Sequence, residues 1–178
     1  MNAQLQGIID AAKQAWDAEQ KSGRIRVNVC IDTSSLAVSA DQTLDALRRA
    51  VADKGLAVDV CITGSAGFCW LEPTVTVRSA DASRTVLYGQ VTPDRVAEFV
   101  ATVLVGGADL PELAIGVVDG PSNGVPMLAD HQIMKGQVRR LMANTGTIDP
   151  ENIDHYLARS GYEGFGKALD MDAEAIVK

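Results

Sequence analysis

Cys30, Cys61 and Cys69 carry whatever soft-ligand or redox chemistry this sequence can offer. Thiolates bind soft and borderline metals and attack disulfides, so their placement comes first. Cys30 closes the run Arg24-Ile25-Arg26-Val27-Asn28-Val29-Cys30, and Cys69 lies in the loop Thr63-Gly64-Ser65-Ala66-Gly67-Phe68-Cys69. A two-iron cluster takes four thiolates, normally from two loops of this kind, and these loops supply two. Cys61 falls on a strand-like stretch, where alternation turns its side chain inward. No C-x-x-C pair exists for thiol–disulfide exchange, and a Cys30–Cys69 bridge requires Cα atoms within about 7 Å.

Other chemistry-bearing patterns fail their context. Gly161-Tyr162-Glu163-Gly164-Phe165-Gly166-Lys167 has the spacing of a phosphate-binding loop. Ala168 follows where a hydroxyl should bind Mg²⁺, and a helical pattern precedes where a buried strand should stand, so Gly161 reads as a helix C-cap. His131 and His155 lack partners at metal-ligand or triad spacing, and His155 reads as a surface residue. The glycines of Thr63–Gly67 read as a tight turn rather than an anion nest. No catalytic or cofactor-binding constellation is complete.

The elements that position these residues follow from periodicity. Leu5, Ile8, Ile9, Ala12 and Trp16 predict an amphipathic helix ending near Gly23. Strands are predicted at residues 24–30, 57–62, 74–77 and 84–88, the last two joined by a turn at Asp81-Ala82-Ser83. Ser39 with Gln42 suggests a capping box for a helix carrying Leu44, Leu47 and Val51, after a loop from Asp32. Thr92-Pro93-Asp94 starts a helix that buries Val96, Phe99, Val100, Val103 and Leu104. The order helix, β-α-β, β-β-α fits an α/β fold: a thioredoxin-like, mixed four-stranded sheet with flanking helices. Residues 108–130 read as an irregular arm with unpartnered apolar residues Leu110, Leu113, Ile115, Val117 and Val118. Short helices follow: one capped at Asp149-Pro150-Glu151, one over Tyr162–Leu169, and one opening at Asp172 that six residues cannot stabilise. The expected organisation is a helix over 1–23, the thioredoxin-like domain over 24–107, and an arm with short helices over 108–178, as if the chain were interrupted.

The 178 residues carry 23 acidic and 16 basic side chains, a formal charge of −7, and 47% are apolar. That suits a globular domain and argues against nucleic-acid binding, since little would replace phosphate counterions. No apolar run reaches the roughly 20 residues of a membrane span, and no leader pattern opens the chain. With an odd number of cysteines the expectation is a reduced, cytoplasmic protein.

Two stretches resemble a known family. Cys30 with Ser34-Ser35, then Thr63 through Cys69-Trp70-Leu71-Glu72-Pro73 to Val77, then Tyr88-Gly89 and Val91-Thr92-Pro93 form the first. Gln137 through Asn144-Thr145-Gly146-Thr147-Ile148-Asp149-Pro150, then Ile153-Asp154, Tyr156, Gly161-Tyr162 and Lys167-Ala168-Leu169 with Met171 form the second. Together they are similar to the N-terminal region of the flavoprotein (β) subunit of soluble NAD-dependent formate dehydrogenases. The flavoprotein subunits of complex I and of NAD-reducing hydrogenases are wider relatives. Cluster-binding members of this family have cysteine where Ser35 and Ser65 stand, and serine is a hard, poor substitute for thiolate. The resemblance therefore implies a non-catalytic docking part of an NAD-linked oxidoreductase, with other subunits of the complex as partners. It places FMN, NAD and iron–sulfur clusters outside this chain, leaves no cofactor within it, and makes Cys30 and Cys69 vestigial cluster ligands. Trp70, Leu71, Glu72 and Pro73 are expected to serve packing and turn geometry. An independent thiol or iron–sulfur protein using these cysteines, and a stand-alone interaction domain, are the alternatives.

Overall fold

A computed structural model describes residues 3–177, so the expected bounds at residues 1 and 178 lie outside the described residues. Contacts group them into two units: residues 23–149, and the N-terminal residues through Ser22 with those from Pro150 onward.

The larger unit is built on a sheet of five strands: β1 (Ile25–Cys30), β2 (Val58–Thr63), β3 (Val75–Arg78), β4 (Thr85–Tyr88) and β5 (Ala114–Asp119), in the order β2-β1-β3-β4-β5. β1 pairs with β2 in parallel, from Ile25 opposite Val58 to Cys30 opposite Thr63. β3 and β4 are antiparallel to their neighbours. A parallel β-α-β crossover feeding an antiparallel hairpin is the thioredoxin-like arrangement, and the fold is a thioredoxin-like α/β sheet.

Alternating β-branched residues explain the core. Val27, Val29, Val75, Val77, Val86 and Tyr88 face one side of the sheet, where they meet Leu44 and Leu47 of a helix over Ala40–Asp53 and Phe99 and Val100 of the helix after β4. That last helix enters through a tight turn at Pro93–Arg95, runs as α-helix over Val96–Phe99, and widens to a π-helix over Val100–Val105. Leu87 points to the opposite face and packs with Phe68 and Leu128. β1 is buried on both faces rather than one. Its polar side is roofed in part by the segment leading to Asp149, where Asn28 Nδ2 donates to the Gly146 carbonyl at 3.3 Å. Thr63 Oγ1 likewise donates to the Ile148 carbonyl at 3.1 Å.

The fifth strand is the main departure from the expected sheet. β5 adds antiparallel to β4 with two register irregularities, within the stretch read as an arm. Leu110, Leu113 and Val117 are buried in the core rather than awaiting a partner, Ile115 packs beneath Phe68, and Val118 is exposed. Proline and glycine on either side of β5 hid its periodicity, because an edge strand needs ladder partners on one side only.

Helix starts also differ. The segment after Cys30 contains a one-turn helix, Thr33–Leu36, with a reciprocal capping box between Asp32 and Ser35. Ser39 precedes the next helix in a left-handed conformation without a side-chain cap, so the box sits seven residues earlier than expected. Thr92 likewise makes no side-chain cap.

In the smaller unit, a helix over Ala3–Gln20 packs on a helix over Ile153–Ala158 through Ile9, Ala12 and Leu157, with Leu5 alongside. Asn152, not Asp149, caps the second helix by accepting from the Asp154 N–H. Short helices at Glu163–Ala168 and Ala173–Val177 follow. His155 is 3% exposed, against the surface placement expected, and its Nε2 lies 3.0 Å from Glu19 Oε2 with the Trp16 ring edge-on. Left-handed geometry at the end of this helix falls on Ser160 rather than Gly161. Gly161 is required for a different reason, because a Cβ there would collide with the Tyr156 ring.

Candidate metal centre at the end of the first strand

Parallel pairing of β1 and β2 sends the segment after Cys30 and the loop after Thr63 out of the same end of the sheet. The Cys30 N–H donates to the Thr74 carbonyl and the Ile31 N–H to the Thr63 carbonyl, which pins the base of both loops. The Cys69–Leu71 turn is held from the other side by the Gln90 N–H on the Leu71 carbonyl and the Val91 N–H on the Pro73 carbonyl. Gly89 permits this approach, since a Cβ there would press on the Leu71 carbonyl and Ile115.

These constraints bring Glu72 over Cys30. Glu72 is 6% exposed and Cys30 is 1% exposed, with Cys30 Sγ 3.8 Å from Glu72 Oε1. Ligand atoms of Cys30, Asp32 and Glu72 all lie within 4.8 Å of one another. Ser65 Oγ donates to Glu72 Oε1 at 2.9 Å and accepts from the Gly67 N–H. Glu72 Oε2 is buried and accepts no hydrogen bond. Asp32 Oδ1 accepts from the Ser35 N–H at 2.9 Å and from Ser34 Oγ at 3.0 Å.

The electrostatics are those of crowded acceptors. Burial, then the charges of Asp32 and Glu72, push the Cys30 thiol up to about 11. Burial opposes ionisation of Asp32 as well, but hydrogen bonds from Ser35 and Ser34 outweigh it and hold that carboxyl below its usual range. An orphaned buried acceptor costs about 1–3 kcal/mol, and more if charged.

The remaining sequence candidates lie elsewhere. Cys69 is exposed at the start of its turn and outside the three-residue group, Cys61 is half-buried on β2, and none of the three cysteines forms a disulfide. His131 packs edge-on against Phe68 at 5.0 Å. Gly161–Lys167 runs from the end of one short helix into another. A cavity of about 350 Å³ at the opposite end of the sheet, beside Ile25, is lined by Arg84, Tyr88 and Asp109. Both Arg84 terminal nitrogens reach Asp109 at 2.9 Å and Tyr88 donates to it at 2.7 Å, so these polar groups satisfy one another.

No family model matches this chain. Over 43 residues, 24% of its length, it is 49% identical to the NADP-reducing hydrogenase subunit HndC of Solidesulfovibrio fructosivorans, and the match spans 9% of that subunit. Among solved structures it is similar to the thioredoxin-like [2Fe-2S] ferredoxin of Aquifex aeolicus, over 52% of this chain and 97% of that one, at 25% identity and a TM-score of 0.46. Another structure of that ferredoxin matches 56% of this chain and 96% of its own at 22% identity and a TM-score of 0.47.

The expectation that the chain holds no cofactor of its own is corrected. Folding here assembles a thiol and two carboxylates into one donor group that could hold a metal ion. Counting thiols along the sequence missed it, because Asp32 and Glu72 count as ligands only once they stand beside Cys30. The fit to a four-thiolate cluster is poor. Ser35 is fully buried, and its hydroxyl accepts from the Asp32 N–H at 2.7 Å while donating to the Asp32 carbonyl. Ser65 is similarly engaged with Glu72 and Gly67, so neither hydroxyl is free to replace a thiolate. The assembled set is mixed sulfur and oxygen. The signals available in the sequence were an acid two residues after Cys30 and another in the Trp70-Leu71-Glu72-Pro73 run.

Proposed function

We propose that this chain is the thioredoxin-like, ferredoxin-type module of an NAD(P)-linked oxidoreductase assembly, of the class containing hydrogenase and formate dehydrogenase flavoprotein subunits. The observation that carries this reading is the 49% identity over 43 residues to a subunit named as NADP-reducing hydrogenase. The thioredoxin-like sheet, with both cysteine loops at one end, accords with it. The module's role in such an assembly is to dock beside the subunit or domain that carries flavin and nicotinamide, close to the path of the electrons. Val138 and Leu141, 80% and 103% exposed in the segment before Gly146, supply apolar surface for such contacts. Among the described residues no helix is long and apolar enough to cross a membrane, and an assembly in the reducing cytoplasm suits three cysteines without a disulfide.

Independent thiol–disulfide exchange is disfavoured by the burial of Cys30, because an attacking thiolate must reach its disulfide. The test is purification of the native assembly through an affinity tag on this chain, followed by assay of NAD(P)H-dependent dye reduction. The reading predicts that flavin and reductase activity co-elute with the tagged chain in fixed stoichiometry. Elution of the chain alone, with the reductase activity left in the unbound fraction, overturns it.

A further inference from the structure

We infer that Cys30, Asp32 and Glu72 form a mononuclear site for a divalent transition-metal ion of the zinc(II) type, whichever assembly the chain serves. The three ligand atoms lie within 4.8 Å of one another, close enough for small side-chain movements to bring them to normal bond lengths around one ion. The independent observation is Glu72 Oε2, an acceptor that the fold buries and leaves without a hydrogen bond on a side chain 94% removed from solvent. Its sister oxygen accepts from Ser65 and lies 3.8 Å from Cys30 Sγ, so the carboxylate is oriented toward the thiol and its second oxygen has no donor. Asp32 is held in the same way by Ser34 and the Ser35 N–H. Such outer partners are what orient ligating carboxylates.

The donor types narrow the ion. One thiolate with two carboxylates is too soft for Mg²⁺ or Ca²⁺, which take oxygen alone, and has too few sulfurs for a two-iron cluster. It suits zinc(II) or iron(II), with three protein ligands and a fourth position for water. Binding replaces the Cys30 S–H bond with a metal–sulfur bond and releases that proton to solvent, with no change of oxidation state. Buried like-charged acceptors then face a cation instead of each other.

Cobalt(II), which takes zinc sites and reports its ligands by colour, is the probe. The full-length chain, stripped of metal by chelator, is titrated with CoCl₂ under anaerobic conditions. One equivalent should bind, with thiolate-to-cobalt charge-transfer absorption and the intense visible bands of a tetrahedral centre. Cys30→Ser should abolish the charge-transfer band, Glu72→Gln and Asp32→Asn should each weaken binding at least tenfold, and Cys69→Ser should leave the spectrum unchanged. Thermal melts with and without Zn²⁺ guard against misfolded variants: Glu72→Gln should melt cooperatively and lose the metal-induced rise in Tm. Absence of the band in the wild type, its persistence in Cys30→Ser, or its loss in Cys69→Ser overturns the site. So does reconstitution with iron and sulfide to two irons per chain, which would assign the position to a cluster instead.

Discussion

Cys30 Sγ lies 3.8 Å from Glu72 Oε1, across 42 positions of sequence, and the pair is sealed between the bases of two loops. Cys30 ends β1, and Glu72 is turned inward by a segment hydrogen-bonded to the residues after β4.

Ser65 holds that arrangement in place. Ser65→Ala removes the hydroxyl donor to Glu72 Oε1 and leaves that oxygen with the weaker Cys30 thiol at 3.8 Å. Urea unfolding of the metal-free chain should show a loss of roughly 1.5–3 kcal/mol, the scale for a hydrogen bond to a charged group. A change within about 0.5 kcal/mol would mean that the loop carries Glu72 without help from Ser65.

The fifth strand makes a sharper contrast. Leu113 is 4% exposed and its carbonyl accepts from the Gly89 N–H, whereas Leu141 is fully exposed. Leu113→Ala should cost about 2–5 kcal/mol, as truncation of a buried leucine does. Leu141→Ala should stay within about 0.5 kcal/mol. Equal small effects would return residues 108–130 to the status of a loose arm.

This contrast marks what could be read from the residues. Val27, Val29, Val75, Val77 and Val86 announced three strands, and Val58 and Val60 a fourth, because β-branched residues recur at period two between turn signals. β5 did not, because Gly116 and the prolines at 111, 121 and 126 interrupt its pattern and only the β4 edge makes it a strand. Asp32 looked like a loop residue and proved to be both a helix cap and a member of the donor group. His155 looked exposed because nothing near it in sequence announces Glu19 and Trp16. Long-range neighbours, not local propensity, decided each of these cases.

In the smaller unit, His155 joins two helices through Glu19. His155→Ala removes this bond and the edge-on contact with Trp16, so that unit should lose about 2–3 kcal/mol by the scale of a charged hydrogen bond. Hydrogen exchange should then accelerate over Ala3–Gln20 and Ile153–Ala158 while the sheet amides keep their protection. Uniform protection in both variants would rule out a structural role for His155.

Acid should act on the far end of the sheet. Arg84 holds the Asp109 carboxyl below its usual range, with the Tyr88 hydroxyl adding to the effect against the opposing influence of burial. A depressed carboxylate stabilises the fold above its unfolded pKa of about 3.9, and that stability disappears as pH falls through the lower folded value. Denaturant midpoints should therefore fall below about pH 4 more steeply in the wild type than in Asp109→Asn. Parallel pH curves for the two proteins would show that the pair contributes nothing to acid sensitivity.

The donor group is tested most directly by locating the ion itself. Crystals of the zinc-loaded chain, measured on both sides of the zinc absorption edge, should show one anomalous peak. That peak should lie about 2.3 Å from Cys30 Sγ and about 2.0–2.2 Å from carboxylate oxygens of Asp32 and Glu72. A peak on other residues, or no peak at saturating zinc, would contradict the account.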